Sequence, residues 1–114
     1  MAQADQVAAT RVALALALVS DRIKITGINS DCIVTTVPNN AEDGKFTDLG
    51  IDDGQMEFFR KMLAKECPEI ADSIMDRANF PLAADMSISV VVDTVTALLL
   101  NSDKWNGECL PTFQ

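Results

Sequence analysis

Carboxylates are the chemical groups that cluster most clearly in this sequence. Oxygen ligands of this kind suit a hard cation such as Ca²⁺. The cluster, at residues 43–57, nevertheless lacks the spacing of an EF-hand loop, because Phe46 and Leu49 interrupt it. We expect weak or adventitious calcium binding at most, and we assign no metal site to the clustered acids Asp43, Asp48, Asp52, Asp53 and Glu57.

Catalytic side chains are scarce. The chain has no histidine and no tyrosine, so the commonest general base, the usual triad relay and the commonest metal ligand are missing. Cys67 would need some other base to act as a nucleophile. It also precedes Pro68 at a predicted helix end, where the helix dipole disfavours a thiolate. We predict a protein that is not an enzyme and has no catalytic residues.

The three cysteines, Cys32, Cys67 and Cys109, are widely separated and form no C-x-x-C pair. This spacing indicates neither a disulfide framework nor a zinc knuckle. We therefore expect reduced thiols in a cytoplasmic protein. The first residues carry no positive segment, and the apolar run at residues 12–19 is too short to cross a bilayer, so we expect no membrane association.

The first two helices are expected on either side of a long loop. The first runs from about residue 4 to 21, with an apolar stripe of Val7, Leu14 and Leu18 that Arg11 interrupts. A long loop follows, with a short extended piece at residues 32–37. The second helix begins at residue 52 or 53, ends near residue 66, and turns Met56, Phe59 and Leu63 inward.

Two further helices are expected after Pro68. One is short, at residues 69–78, and the last begins near residues 85–87 and carries Val91, Val95 and Leu98 in helical register. The sequence therefore predicts an all-α four-helix bundle over residues 1–101 and an irregular tail at residues 102–114. We expect Trp105, Leu110 or Phe113 to fold back onto the bundle.

Net charge limits the partners. Seventeen acidic against nine basic residues give a charge of -8, which repels phosphate backbones and anionic lipid. We therefore expect no binding to nucleic acid or to membranes. The charge suits a basic protein surface, but it is equally a general device for solubility.

The segment Phe46-Thr47-Asp48-Leu49-Gly50-Ile51-Asp52, followed by an apolar helix, resembles the F-x-D-L-G-x-D motif of acyl carrier proteins. The order of the helices is also similar, over roughly residues 5–101. The resemblance implies an acyl-carrier-type bundle with a long loop between the first and second helices. In that family a Ser-Leu pair completes the motif, and the serine carries 4′-phosphopantetheine.

Asp53 and Gly54 stand at the two positions that the family fills with serine and leucine. A carboxylate cannot accept the phosphodiester, so no phosphopantetheine attachment and no cofactor are expected. Ser73, in Asp72-Ser73-Ile74, lies in an alternative motif but lacks the Leu-Gly lead-in. Ser87 is better explained as a helix cap.

The sequence thus predicts a divergent carrier-like interaction or regulatory module that is not catalytic. Its predicted partner is a protein, and biosynthetic enzymes are the candidates that the resemblance implies. Two alternatives stay open: a true carrier modified at Ser73, and a helical adaptor or subunit unrelated to carriers. We expect a mixed surface on the second helix, where Glu57 and Glu66 pair with Arg60, Lys61 and Lys65. The predicted partner-binding residues lie at the start of that helix: Asp52, Asp53, Gly54, Gln55, Met56 and Glu57.

Overall fold

The computed structural model describes residues 2–111. Within that range the chain is mainly helical and contains four α-helices, as predicted. They are α1 (Ala4–Val19), α2 (Asp53–Glu66), α3 (Ala71–Met75) and α4 (Ile88–Leu100). None of them is long and apolar enough to cross a membrane.

A β-hairpin corrects the all-α prediction. Strand β1 (Lys24–Ile28) pairs antiparallel with β2 (Val34–Val37), and a bulge interrupts the register between Ile25 and Gly27. The extended piece was expected at residues 32–37, but its partner strand was not. The β-branched residues of β1 are interrupted by Gly27 and flanked by polar residues, so the sequence of this segment does not indicate a strand. Its extended structure depends on pairing with β2.

Helix α1 lies at the centre of the fold, against α2, α4 and the hairpin. Small and β-branched residues are consequently buried all round it rather than along one stripe. Val7 is buried as predicted, but Leu14 is only half-buried and Leu18 is 58% exposed. The predicted stripe was therefore wrong in its second half, because the packing around α1 does not extend to Leu18.

The other predicted stripes converge as expected. Phe59 and Leu63 of α2 are buried with Val91 and Val95 of α4 in one hydrophobic core. Phe46 packs edge-to-face on Phe59, with 5.0 Å between the ring centroids. The buried pattern of α4 recurs every three to four residues, which explains why its β-branched start is helical and not a strand.

The tail at residues 102–111 contains neither helix nor strand, and it folds back onto the first half of α1. The side chain of Arg11 in α1 is fully buried. It donates two hydrogen bonds, of 2.7 and 2.9 Å, to the Glu69 carboxylate. Its Nε also donates to the Cys109 carbonyl at 3.1 Å. Arg11, which interrupts the predicted apolar stripe, is thus the centre of a polar cluster.

Trp105 packs against the core as predicted, Leu110 is 45% exposed, and Phe113 lies outside the described residues.

A disulfide joins Cys32, in the hairpin turn, to Cys109 in the tail, with 5.5 Å between the Cα atoms. The prediction of reduced thiols was wrong for this pair. The two cysteines are 77 positions apart, and only the docking of turn and tail on α1 brings them together. Thr10 donates to the Cys32 carbonyl at 2.9 Å and fixes the turn end of that contact.

Candidate partner-binding site at the start of helix α2

The start of α2 is closed by a capping box. The Gln55 amide donates to the Asp52 carboxylate at 2.9 Å, and the Asp52 amide donates to the Gln55 side chain at 3.1 Å. The second bond satisfies the Asp52 amide, and the first adds to the 3.1 Å hydrogen bond that the Gln55 amide donates to the Asp52 carbonyl. Both side chains therefore serve the helix end.

Asp53 has a tertiary role. Its Oδ1 accepts a hydrogen bond of 2.9 Å from the amide of buried Ala84, in the segment before α4. The Ala84 carbonyl in turn accepts from the Thr47 amide at 3.0 Å. Asp53 thus ties the start of α2 to the segment that leads into α4.

The carrier-like motif itself is built into the fold. Residues Phe46–Leu49 form a 3-10 turn in which Phe46 and Leu49 are buried, and Ile51 is buried after it. Gly50 has a φ of 73°, in the left-handed region that favours glycine. A Cβ at this position would also lie 3.0 Å from the Arg22 guanidinium. Each of these residues therefore has a structural reason for its identity.

The last two predicted site residues lie in different environments. Met56 is 2% exposed and packs in the core, so its side chain is not presented to a partner. Glu57 lies at the surface, where Arg77 donates to it at 2.8 and 3.2 Å. Those hydrogen bonds lower the pKa of Glu57, and the charge of Arg60 lowers it further.

Arg60 departs from its predicted place on the mixed surface. It is 2% exposed, and its Nη1 donates to the carbonyls of Ile74 and Phe80 at 2.6 and 2.7 Å. These carbonyls come from α3 and from the segment that follows it, so Arg60 holds α3 against α2. Its spacing from Glu57 suited an exposed pair equally well, which is why the sequence did not reveal its burial.

Sequence reasoning missed Phe58, which is 47% exposed in the middle of α2. Helical spacing places Gly54, Phe58, Lys61 and Lys65 along one side of α2, away from the buried Phe59 and Leu63. We call these four residues the outer face of α2. A signal was available, because consecutive residues on a helix point about 100° apart, so Phe58 and Phe59 face different directions.

The residues considered for other chemistry are spread over the molecule. Ser73 lies in the middle of the five-residue helix α3 and is half-buried. The Ser87 hydroxyl is 2.8 Å from that of Ser89, and Ser87 precedes α4 as its N-cap residue. Burial raises the pKa of Cys67 to about 12, against the opposing charge of Arg11. This thiol is therefore protonated at neutral pH and is no nucleophile.

No three metal-ligating side chains converge anywhere in residues 2–111. The carboxylates of the sequence cluster bond elsewhere, as shown by Asp48, which accepts from the Lys45 amide at 2.8 Å. Comparison with known proteins adds no relative: no family model, no curated protein and no solved structure matches the chain.

Proposed function

We propose that this protein is a non-catalytic interaction module of carrier-like helix order, that it bears no phosphopantetheine, and that it binds a protein partner through the outer face of α2. Exposed Phe58 is the observation that carries the proposal. An aromatic ring exposed at the centre of a helix face can anchor an interface, because burying it against a partner removes a large apolar area from water.

The chemistry of the outer face indicates the kind of partner. Lys61 and Lys65 are exposed beside Phe58, whereas Arg60 is buried and adds no charge to this face. An apolar pocket with an acidic rim would complement one aromatic ring and two ammonium groups. Such a partner differs from the enzymes that bind typical carrier proteins, whose patches are basic.

The role of Asp53 supports the proposed absence of the prosthetic group. Its carboxylate carries no hydroxyl that could accept a phosphodiester, and it is hydrogen bonded to the Ala84 amide. Incubation with coenzyme A and a broad-specificity phosphopantetheinyl transferase should leave the intact mass unchanged. A gain of one phosphopantetheine mapped to Ser73 would instead support a true carrier.

A double variant supplies the positive control for this experiment. Asp53→Ser with Gly54→Leu restores the two residues that complete the family motif, and the carrier-like reading expects this variant to gain one phosphopantetheine. Failure of a correctly folded double variant to react would contradict the carrier-like arrangement. The unrelated-adaptor alternative would then be the stronger one.

The partner surface is tested by Phe58→Ser against Val90→Ser on α4. Val90 is 49% exposed, nearly the same fraction as Phe58, so each change removes an exposed apolar side chain from a helix surface, the valine being the smaller of the two. We expect Phe58→Ser to lose the protein that copurifies from the source cell and Val90→Ser to retain it, with equal melting temperatures. Equal recovery by both variants would remove the outer face from consideration.

The compartment is a separate question. The predicted cytoplasmic location rested on reduced thiols, whereas a disulfide such as Cys32–Cys109 normally persists in oxidising compartments. We propose that the protein works where this bond is kept. Alkylation of denatured protein from freshly quenched cells should label Cys67 alone. Labelling of all three cysteines would indicate that the protein resides in a reducing compartment.

A further inference from the structure

A groove of about 770 Å³ lies between the start of α1, the end of α4 and the tail. It is at the opposite end of α1 from the start of α2, because Ser20, just past the end of α1, donates to the carbonyl of Leu49. The 16 residues of α1 separate the two ends by about 24 Å. The groove is therefore distinct from the outer face of α2.

The walls of the groove are mainly apolar. Ala2 and Ala4 line one side, Leu100 lines another, and Trp105 comes from the tail. Leu100 is 68% exposed, the largest value among the exposed large hydrophobic residues of the described chain. The groove is open to solvent on one side, so a ligand would lie along these apolar walls with part of its surface in water.

The tail wall is fixed before any ligand arrives. The Trp105 indole N–H donates to the Glu108 carbonyl at 2.9 Å, and this carbonyl also accepts from buried Arg11 at 3.3 Å. The next residue, Cys109, is held by the disulfide. Because the indole is already positioned, a ligand would bind without the cost of ordering this segment.

Charge selects the ligand class. Asp5 is the single charged side chain among the residues that line the groove in the described chain. A carboxylate together with an aromatic ring is the pair of groups that recognises an ammonium ion. The first turn of α1 by itself favours an anion through its dipole, but Asp5 lies in that turn and offsets this preference.

We propose that this groove binds a small organic amine with an apolar body, its ammonium group beside Asp5 and its body against Leu100 and Trp105. The inference does not depend on the outer face of α2. It concerns a different surface and a different class of ligand.

Trp105 provides the measurement. It is the only tryptophan, and the chain has no tyrosine, so its emission reports on this groove alone. Three probes share one body and differ in the head group: 4-phenylbutylamine, 4-phenylbutanol and 4-phenylbutyrate. We expect the amine to bind about fivefold more tightly than the alcohol. Tighter binding of the carboxylate would overturn the proposal in favour of an anion at the helix end.

Two variants locate the contacts. Asp5→Asn should remove the preference for the amine over the alcohol, whereas Asp21→Asn at the far end of α1 should keep it. Leu100→Gln should weaken binding of the amine and the alcohol alike, whereas Leu18→Gln, at an exposed leucine near the far end of α1, should weaken neither. Circular dichroism confirms that each variant is folded. An unchanged preference in folded Asp5→Asn would refute the role of the carboxylate.

A second copy of the chain is the competing occupant of this apolar surface. Sedimentation of the ligand-free protein tests it directly. A monomer is expected, since two chains of charge -8 repel each other. A dimer that dissociates in Leu100→Gln would show that the groove is an interface between copies and would overturn the amine proposal.

Discussion

The start of α2 and the tail are both held by polar side chains, but over very different distances along the chain. At the start of α2, Asp52 and Gln55 bond within one helical turn. In the tail, Arg11 reaches residues 97 and 98 positions away. Hydrogen bonds within one helical turn can be inferred from the spacing of residues in the sequence. Those between distant residues depend on the tertiary fold and cannot be inferred in this way.

The same contrast applies to burial. Arg11 is fully buried, and its partner Glu69 is 14% exposed. If one partner is removed, little water can therefore reach the charge of the other. The Glu57–Arg77 pair near α2 is 44% and 67% exposed. Two ion pairs with the same 2.7 to 2.8 Å contacts should therefore differ widely in their effect on stability.

The largest expected effect is the loss of Arg11. Arg11→Ala leaves the Glu69 carboxylate without its buried partner and removes one hydrogen bond from each of two tail carbonyls, which should cost about 3 to 5 kcal/mol in unfolding free energy. Urea denaturation measures it. Arg77→Ala is the matched control, and a similar loss in that variant would refute the contrast between the two pairs.

Reduction of the disulfide should have the next largest effect. The bond closes a long loop between the hairpin turn and the tail, and its removal in Cys109→Ser should cost about 2 to 4 kcal/mol. Hydrogen exchange should then increase in the tail and at residues 29–33 but not at the start of α2. Uniform loosening of the molecule would show that the tail is not a separate unit.

Alkaline pH tests the burial of Cys67 beside Arg11. Burial raises the pKa of this thiol from 9.0 to about 12, so the unfolded chain loses the proton at lower pH than the folded one. Stability from this group is therefore complete below pH 9 and is lost as the pH rises from 9 to 12. In Cys67→Ala, the free energy of unfolding should decline less between pH 9 and pH 12. An equal decline in that variant would assign it to other groups.

The sequence allowed the local half of the molecule to be predicted. The order of the helices, the inward Phe59 and Leu63, and the cap at the start of α2 follow from periodicity and from side chains close in sequence. The β-hairpin partner, the disulfide and the buried Arg11 and Arg60 could not be predicted. Each depends on groups that meet only through tertiary packing, and a charged residue on a helix gives no local sign that it is buried.

Asp53 lies between these two classes and carries the smallest of the expected effects. Asp53→Ala deprives the buried Ala84 amide of its acceptor, which should cost about 1 to 3 kcal/mol. Asp53→Asn keeps an oxygen at the same place and should cost less. If the residue only supplied charge to the helix end, both changes would cost the same, because both remove the negative charge. Chemical denaturation of the two variants therefore distinguishes a tertiary tether from a simple charge effect, and equal losses would favour the latter.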